Sequence, residues 1–409
     1  MTSMPTLVPP RRVIVGVDTH KDVHAAAVLD ERGALLGTAL FAADRAGCRD
    51  LIDWSTDYGT PLRFGIEGTG SYGRGLAAAV RRGGHDVVEV ARPNRADRHR
   101  RGKCDVFDAE NAARAVLAGQ ARAIPKADEG IVEMIRHLKI AKDAAVKARS
   151  AAMQSIKAML ITAPAELREA LEPLPDMALL RRCAALRPGE LTSVTATAKH
   201  SLRAIAQRWQ HLHAEITSHQ HQLKILVDQL APQLSTAVGI GPDTASALLI
   251  ALGQNAGRLH SEAAFAKLCG ACPIPASSGK TTRHRLNRGG HRQANAALHR
   301  IVIVRMKYHD PTRAYVTRRT LEGKSKKEII RCLKRHVARE IFWLLTNPPP
   351  VITGDDLRTE RLDAGLTLAT AAEALGTWPT RISQLERGLY HDAELARRYQ
   401  HWLHPEQAA

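Results

Sequence analysis

Short apolar runs alternate with helical segments in the first third of the chain. Residues 13–17 (VIVGV), 25–29, 63–66 and 86–90 have the length and composition of strands, and the segments between them favour helices. Strands interleaved with helices indicate an α/β domain with a mixed sheet. We therefore predict such a domain over residues 11–126.

Strand signals end near residue 129, and long helices follow. Between residues 202 and 230 apolar side chains recur in alternating three- and four-residue steps, as in the a/d seam of a coiled coil. The seam consists of Leu202, Ile205, Trp209, Leu212, Ile216, His219, Leu223, Leu226 and Leu230. We predict an all-α coiled-coil domain over residues 127–231, paired within the chain or between chains.

The remaining pattern predicts two further domains. Pro232 ends the seam helix, and residues 239–252 (GIGPDTASALLIAL) form a glycine-bounded turn that leads into an apolar helix. Asn347 and the three prolines after it stop the next helical region. We predict a mainly α domain over residues 232–347 and a small domain over residues 351–409.

The last domain carries the pattern of a helix-turn-helix. Residues 357–388 contain two short helical segments separated by Gly376 and Thr377. The candidate DNA-groove contacts on the second segment are Thr380, Arg381 and Gln384. A protein-interaction module that never touches DNA has the same pattern, so both alternatives stay open.

Composition indicates a polyanionic partner. Lys and Arg number 59 against 41 Asp and Glu, the net charge is +18, and the isoelectric point is near 10.0. A globular protein with this excess usually binds nucleic acid. Aromatic residues make up 4% of the chain, which favours contact with the phosphate backbone over extensive base stacking.

The same pattern argues against a membrane partner. The sequence has no apolar run of the roughly 18 residues that a spanning helix needs, and the first residues lack the apolar core of a signal peptide. We therefore expect a cytoplasmic, nucleoid-associated protein.

Four carboxylates stand at the ends of predicted elements. Asp18 follows the first strand and Glu67 a later one, and Asp105 and Asp108 share one face of a predicted helix. Acids beyond strand ends suit the place where α/β folds bind ligands. Divalent cations in phosphoryl transfer need several such oxygens. Taken singly, each acid also fits an ordinary role as a cap or a surface residue.

A basic run precedes the last two acids. Its cations are Arg92, Arg95, Arg98, Arg100, Arg101 and Lys103. Such a run is often only a solvated loop, but beside a metal site it favours contact with a nucleic-acid backbone.

A second candidate centre is a serine turn. Ser277 and Ser278 precede Gly279, which permits close backbone approach, and Lys280, which offers a cation for phosphate. A serine beside glycine is more often a turn former than a nucleophile. The setting favours the nucleophile, because residues 280–340 hold 18 Lys and Arg against 4 acids. The candidate nucleic-acid contacts here are Lys280, Arg283, Arg285, Arg288, Arg292 and Asn295.

The segments GVDTHKDVHAAAVLD, GIEGTG and KCDVFDA resemble the N-terminal motifs of the DEDD-type insertion-sequence transposases. The resemblance implies a RuvC-like (RNase H-type) fold for the first domain, in which the acids matching Asp18, Glu67, Asp105 and Asp108 bind Mg²⁺. The serine segment resembles the C-terminal transposase domain of the same family, where a serine before a glycine attacks DNA to give a covalent phosphoserine. Ser278 matches that serine, and a one-residue register error would exchange it with Ser277.

The resemblance also implies partners. Members of the family are guided by a structured noncoding RNA of their own element, so we expect DNA, a guide RNA and a homo-oligomer, dimer or tetramer. The Xre-like helix-turn-helix is an addition to the shortest family members. Two other functions stay open: a RuvC-like nuclease that uses metal-activated water, and a noncatalytic regulator that binds DNA through the last domain.

Overall fold

The computed structural model describes residues 11–91, 104–127, 130–279, 284–347, 354–390 and 392–404. Six predicted cations of the basic run, together with Lys280 and Arg283, lie outside these ranges. The chain divides into two compact units, the first being Met1–Asp128 with Asn255–Arg258 and the second Glu129–Gln254 with Leu259–Ala409. The four predicted domain limits remain predictions.

The first unit is a mixed sheet with helices. Its strands are β1 (Arg12–Thr19), β2 (Val23–Asp30), β3 (Leu35–Ala42), β4 (Thr60–Glu67) and β5 (Val87–Val90), and its helices are α1 (Arg45–Thr56), α2 (Arg74–Arg82) and α3 (Asp105–Leu117). The strand order is β3-β2-β1-β4-β5. The β1–β2 and β2–β3 pairs are antiparallel, whereas β1–β4 and β4–β5 are parallel. The predicted α/β class with a mixed sheet is confirmed.

Edge strand β3 was not predicted. The interval after residues 25–29 was interpreted as helical, but it contains β3 before α1 begins. Residues of β3 alternate between half-buried and exposed and include Gly37 and Thr38, so the segment lacks the continuous apolar run of central strand β1. An edge strand is stabilised by its pairing with β2, which the local sequence does not reveal.

Two glycines let α3 lie directly on the sheet. Gly16 of β1 and Gly65 of β4 are register partners. A Cβ atom at Gly16 would overlap the backbone of Ala109 and Ala113, and one at Gly65 would overlap a methyl group of Val116. Helix α3 therefore needs both glycines, and its contact with β1 and β4 fixes where its first turn lies.

The second unit is mainly helical. Its first helices are α4 (Gly130–Ile161), α5 (Ala165–Leu171), α6 (Asp176–Ala184), α7 (Val194–Leu230), α8 (Pro232–Ser235) and α9 (Pro242–Leu252). They are followed by α10 (Glu262–Leu268), the short strands β6 (Ile274–Pro275) and β7 (His284–Arg285), α11 (Arg292–Tyr308), α12 (Asp310–Leu321) and α13 (Lys326–Thr346). Among the described residues of the chain, no helix combines the length and apolar character needed to cross a bilayer.

The predicted seam lies on α7, which packs along α4. Leu202 near the start of α7 shares a core with Ile156 near the end of α4, and Leu223 shares another with Ile135. The two helices are therefore antiparallel, and the seam faces a partner within the chain. Its buried members are Leu202, Trp209, Ile216, Leu223 and Leu226. Coiled-coil geometry in the strict sense remains a prediction.

The chain ends in four helices, α14 (Gly354–Asp363), α15 (Leu368–Leu375), α16 (Pro379–Glu386) and α17 (Ala393–Leu403). Gly376, with a φ of 65°, ends α15 two residues before α16 is capped by Trp378. The buried guanidinium of Arg361 donates two hydrogen bonds to Glu386, at 2.7 and 2.9 Å, and Tyr399 donates a third at 2.7 Å. This network joins α14, α16 and α17. A DNA-binding role for the module remains a prediction.

Candidate active site

Two of the predicted acids lie at neighbouring strand ends. Val17 of β1 pairs with Ile66 of β4, so the next residues, Asp18 and Glu67, stand side by side at the carboxyl end of the sheet. The Thr19 hydroxyl donates a 2.7 Å hydrogen bond to the Glu67 carbonyl and ties the two strand ends together. Asp18 is buried, and Glu67 is half-buried.

The other two acids lie in the first turn of α3. Asp105 and Asp108 are there because the helix begins at Asp105, and an acid at a helix N-terminus interacts favourably with the exposed N–H groups. Asp108 is buried, whereas the Asp105 side chain is about half exposed. The close approach of α3 to Gly16 brings this turn beside the end of β1.

His20 completes a cluster that sequence reasoning missed. Its Nε2 lies 3.1 Å from Asp18 Oδ2 and 3.3 Å from Asp105 Oδ1. One ligand atom from each of the three residues lies within 4.8 Å of the others. The available signal was the two-residue spacing from Asp18, since alternate residues of an extended chain point to the same side.

The cluster concentrates negative charge in a partly buried place. Burial raises the pKa of the Asp18 carboxyl above its ordinary value, His20 acts in the opposite direction, and Asp108 and Asp105 raise the pKa further. Burial is therefore the main cause of the raised pKa, with His20 opposing it, and the neighbouring carboxylates add a repulsion. A bound cation removes this repulsion, so the arrangement is suited to a metal ion.

The serine turn lies in the second unit, between β6 and β7. These strands pair antiparallel through Ile274 with Arg285 and Pro275 with His284. Ser277 and Ser278 are exposed, and Gly279 has a φ of 54°, a conformation that side chains disfavour. The turn therefore presents the serines at the surface of this unit.

The predicted nucleic-acid contacts near this turn differ in their surroundings. Arg285, Arg288 and Arg292 are exposed. The Asn295 side chain is half-buried; its Nδ2 donates to the carbonyls of Cys269 and Gly270 at 2.7 and 3.1 Å, and its Oδ1 accepts from Lys334 at 2.5 Å. Asn295 is thus engaged within the unit, and its contact with phosphate stays a prediction.

The predicted groove residues lie on α16. Thr380, Arg381 and Gln384 are all exposed. The Arg381 guanidinium lies 3.8 Å from the centre of the Tyr390 ring, a cation–π contact that holds the side chain in place. Their spacing puts the three residues on neighbouring faces of α16, open to a partner.

Comparison with known families places both centres in one group of proteins. The DEDD transposase model of IS110, described as a transposase, matches residues 15–163. A second model, described as the transposase of the IS116/IS110/IS902 family, matches residues 231–317. No curated protein matches the sequence. The first match contains all four predicted acids and the second contains both serines, and together the matches span more than half of the chain. The chain belongs to the IS110 family of transposases, the DNA recombinases of insertion sequences.

Proposed function

We propose that this transposase cuts and rejoins DNA through a covalent phosphoserine, with Ser278 as the nucleophile and Asp18, Glu67, Asp105 and Asp108 as ligands of Mg²⁺. The observation that carries the proposal is the convergence of acids on one end of the sheet. Asp18 and Asp105 approach the same His20 nitrogen, and Asp108 is near enough to influence the pKa of Asp18.

The donor set fits a hard divalent cation. Carboxylate oxygens are the ligands that Mg²⁺ prefers, and the acids come from two strand ends and one helix, as a phosphoryl-transfer site requires. When bound, Mg²⁺ supplies positive charge against the charge that develops on the phosphate oxygens. His20 offers a nitrogen beside these oxygens, but imidazole is a donor that suits later transition metals better than Mg²⁺.

The serine step needs no energy source beyond the DNA. The bond from Ser278 Oγ to phosphorus forms as one phosphoester bond of the DNA breaks, the hydroxyl loses its proton, and the leaving sugar oxygen gains one. Attack by a second DNA hydroxyl on the phosphoserine reverses these changes and frees the serine. The turn that contains Gly279 is exposed. This supports the role, because the Ser278 hydroxyl must reach a phosphate.

The same proposal includes nucleic-acid partners. Exposed Arg285, Arg288 and Arg292 supply charge for a phosphate backbone, which supports binding of DNA. The family resemblance supports a structured guide RNA and a dimer or tetramer as further parts of the proposal. The helix-turn-helix pattern supports DNA contacts by Thr380, Arg381 and Gln384.

The test is a search for DNA attached to serine. The full chain is incubated with the end-junction DNA of its element, candidate RNA and Mg²⁺, then denatured and examined by gel and by mass spectrometry of the peptide. We expect an adduct in the wild type and in Ser277→Ala, and none in Ser278→Ala or Asp18→Ala.

Other results would overturn the assignment. Loss of the adduct in Ser277→Ala alone would make Ser277 the nucleophile. Cut DNA with free ends and no adduct would indicate a nuclease in which water attacks. Undiminished DNA binding without cutting, in the wild type and in both Ser278→Ala and Asp18→Ala, would indicate a noncatalytic regulator.

A further inference from the structure

Two adjoining cavities in the second unit form one cleft behind the serine hairpin. One has a volume of about 460 Å³ and the other about 350 Å³. Both volumes fall within the range of roughly 300–1,000 Å³ that is typical of small-molecule sites. The cavities share the wall formed by Gly270, Leu286, Asn287, Arg331 and Lys334. Because they have these five residues in common, the two cavities are adjacent.

The larger cavity is cationic. Arg288, Arg292 and Lys327 line it in addition to the shared Arg331 and Lys334, and none of the described residues that line it is an acid. Among the described residues, Lys334 is the one of these five cations with a hydrogen bond to another side chain. Its acceptor is the neutral amide of Asn295. Five cations around one space without a carboxylate match an anion such as a phosphodiester.

The floor of the cleft is built in advance. Lys334 from α13 donates to Asn295 of α11, and the Asn295 amide donates to the carbonyls of Cys269 and Gly270. A Cβ atom on Gly290 would lie 2.7 Å from both Gly270 N and Leu268 O, so the two loops cross in contact there. The cleft thus depends on fixed backbone contacts, and one of its cations, Lys334, is held in position before a ligand arrives.

The smaller cavity has a less polar wall. Cys272, Pro273, Cys332, Tyr315 and the shared Leu286 form its less polar part, and His284, Arg285 and His336 also line it. Arg335 also lines it; its Nη2 donates to Glu262 at 2.8 Å, but its Nη1 is buried and has no hydrogen-bond partner among the described residues. A buried donor without an acceptor is rare in proteins and is consistent with an acceptor on a ligand.

We propose that this cleft binds one unpaired nucleotide, with its phosphate among the cations and its base in the smaller, less polar cavity. The two halves have the two characters of a nucleotide, and bases in a duplex are stacked and cannot enter such a cavity. The inference deepens the proposed function and rests on it, since β7 joins the wall of this cleft to the hairpin that carries Ser278. Arg331, on the shared wall, positions the nucleotide.

The test measures binding of the full chain to fluorescent oligonucleotides by anisotropy across a salt series. The ligands are a single-stranded DNA, the same sequence in RNA, the same DNA backbone with abasic sugars, and the duplex. The variants are Arg331→Gln and Cys272→Phe. Arg187→Gln, an exposed loop cation outside the cleft, and Cys272→Ser are their matched controls.

The two halves of the cleft give different expected results. Arg331→Gln should weaken every single strand and reduce the slope of log affinity against log salt by about 0.7, the value for one lost phosphate contact. Cys272→Phe fills the base cavity and should weaken base-bearing strands about tenfold, as expected when one base loses its contacts. It should leave the abasic strand unchanged, and melting temperatures of all variants should match the wild type.

A preference for the DNA strand identifies DNA as the source of the nucleotide, and a preference for RNA identifies a guide strand; either supports the proposal. Equal loss on base-bearing and abasic strands, or tighter binding of the duplex, would overturn it. The same variants are assayed for the serine adduct. If the wild type forms the adduct but the cleft variants bind the oligonucleotides as the wild type does, only this inference is rejected. If the cleft variants bind more weakly but the wild type forms no adduct, only the phosphoserine proposal is rejected.

Discussion

Two partly buried aspartates in different units have opposite surroundings. Asp18 lies beside two other acids and His20; burial is the largest cause of its raised pKa, the acids add to the rise, and His20 opposes it. Asp243, at the start of α9, lies among Lys139, Lys142 and Arg300, and it accepts from the Arg300 guanidinium at 2.8 Å. Burial opposes ionisation there too, but the two lysines dominate and lower the pKa of Asp243 to about 2.

The difference corresponds to different roles, because Asp18 belongs to the proposed metal site and Asp243 to a cluster of ion pairs between helices. Desolvation raises the pKa at both sites; at Asp243 the two lysines outweigh it, whereas at Asp18 the single histidine, opposed by two acids, does not. At Asp243 the carboxylate is surrounded by cations, and these ion pairs connect α4, α9 and α11. At Asp18 a buried carboxylate stands beside two further acids, an arrangement that suits the proposed metal site.

The largest effect is expected for Asp243→Asn. The change leaves Lys142 buried without a carboxylate and Lys139 with Asp143 alone, so unfolding should require about 3–5 kcal/mol less free energy. Chemical denaturation of the full chain measures it. Asp310→Asn, which removes an exposed pair with Arg313, is the control and should cost less than about 1 kcal/mol. Equal losses of unfolding free energy in the two variants would contradict the assignment of a structural role to Asp243.

The lowered pKa of Asp243 predicts that the stability of the protein depends on pH. Its folded pKa of about 2 lies below the ordinary value of 3.8, so its stabilisation is complete above roughly pH 4 and is lost as the pH falls toward 2. The Asp243→Asn chain should therefore show a flatter decline of stability over this interval. An identical decline in both proteins would show that the lysines do not hold the Asp243 carboxylate.

Asp108→Asn tests the opposite side of the comparison. Removing one of the crowded acids should decrease strand cleavage by about 10²–10³-fold, the usual effect of losing one electrostatic group from a catalytic site. Stability should be unchanged or higher, because a repulsion disappears. Glu110→Gln, on the same helix but paired with Arg114, is the control and should retain activity. A destabilised, active Asp108→Asn protein would remove Asp108 from the site.

His20→Ala should have a smaller effect, visible in the pH profile of cleavage. His20 lowers the pKa of Asp18, so without it that pKa rises. Because the ionised carboxylate is the form that binds metal, the acidic limb of the profile should move to higher pH, with about a tenfold loss at low pH that recovers on the alkaline side. His85→Gln is the control. A uniform loss at every pH would assign His20 a different role.

The smallest effect is expected for Arg300→Gln. Arg300 is about half exposed, in contrast to the buried lysines that share Asp243. Its contribution to the free energy of unfolding should be below about 1 kcal/mol, because water screens the pair. A loss similar to that of Asp243→Asn would show that the guanidinium, rather than the lysines, holds this acid.

The sequence predicted the features that depend on local residue patterns. It did not predict the features that form only when distant segments meet in the fold. Strand β1 was visible as a continuous apolar run, Asp18 and Glu67 were predicted from their places at strand ends, and Asp105 and Asp108 from their helical spacing. His20 was missed because its value depends on Asp105, which the fold brings from far along the chain. The nucleotide cleft was hidden for the same reason, since Gly270, Gly290 and Lys334 meet only in the folded unit.

Gly16 and Gly65 have a consequence for how this domain can change over evolution. Because they set the height of α3 above the sheet, a single added methyl group acts as a spacer between the acids of α3 and those of the strands. In the proposed metal site, the spacing of the ligands thus depends partly on two residues that can never be ligands. Substituting each ligand in turn would not reveal the role of these two glycines. Replacing each glycine by alanine and measuring which divalent metal supports activity would reveal it.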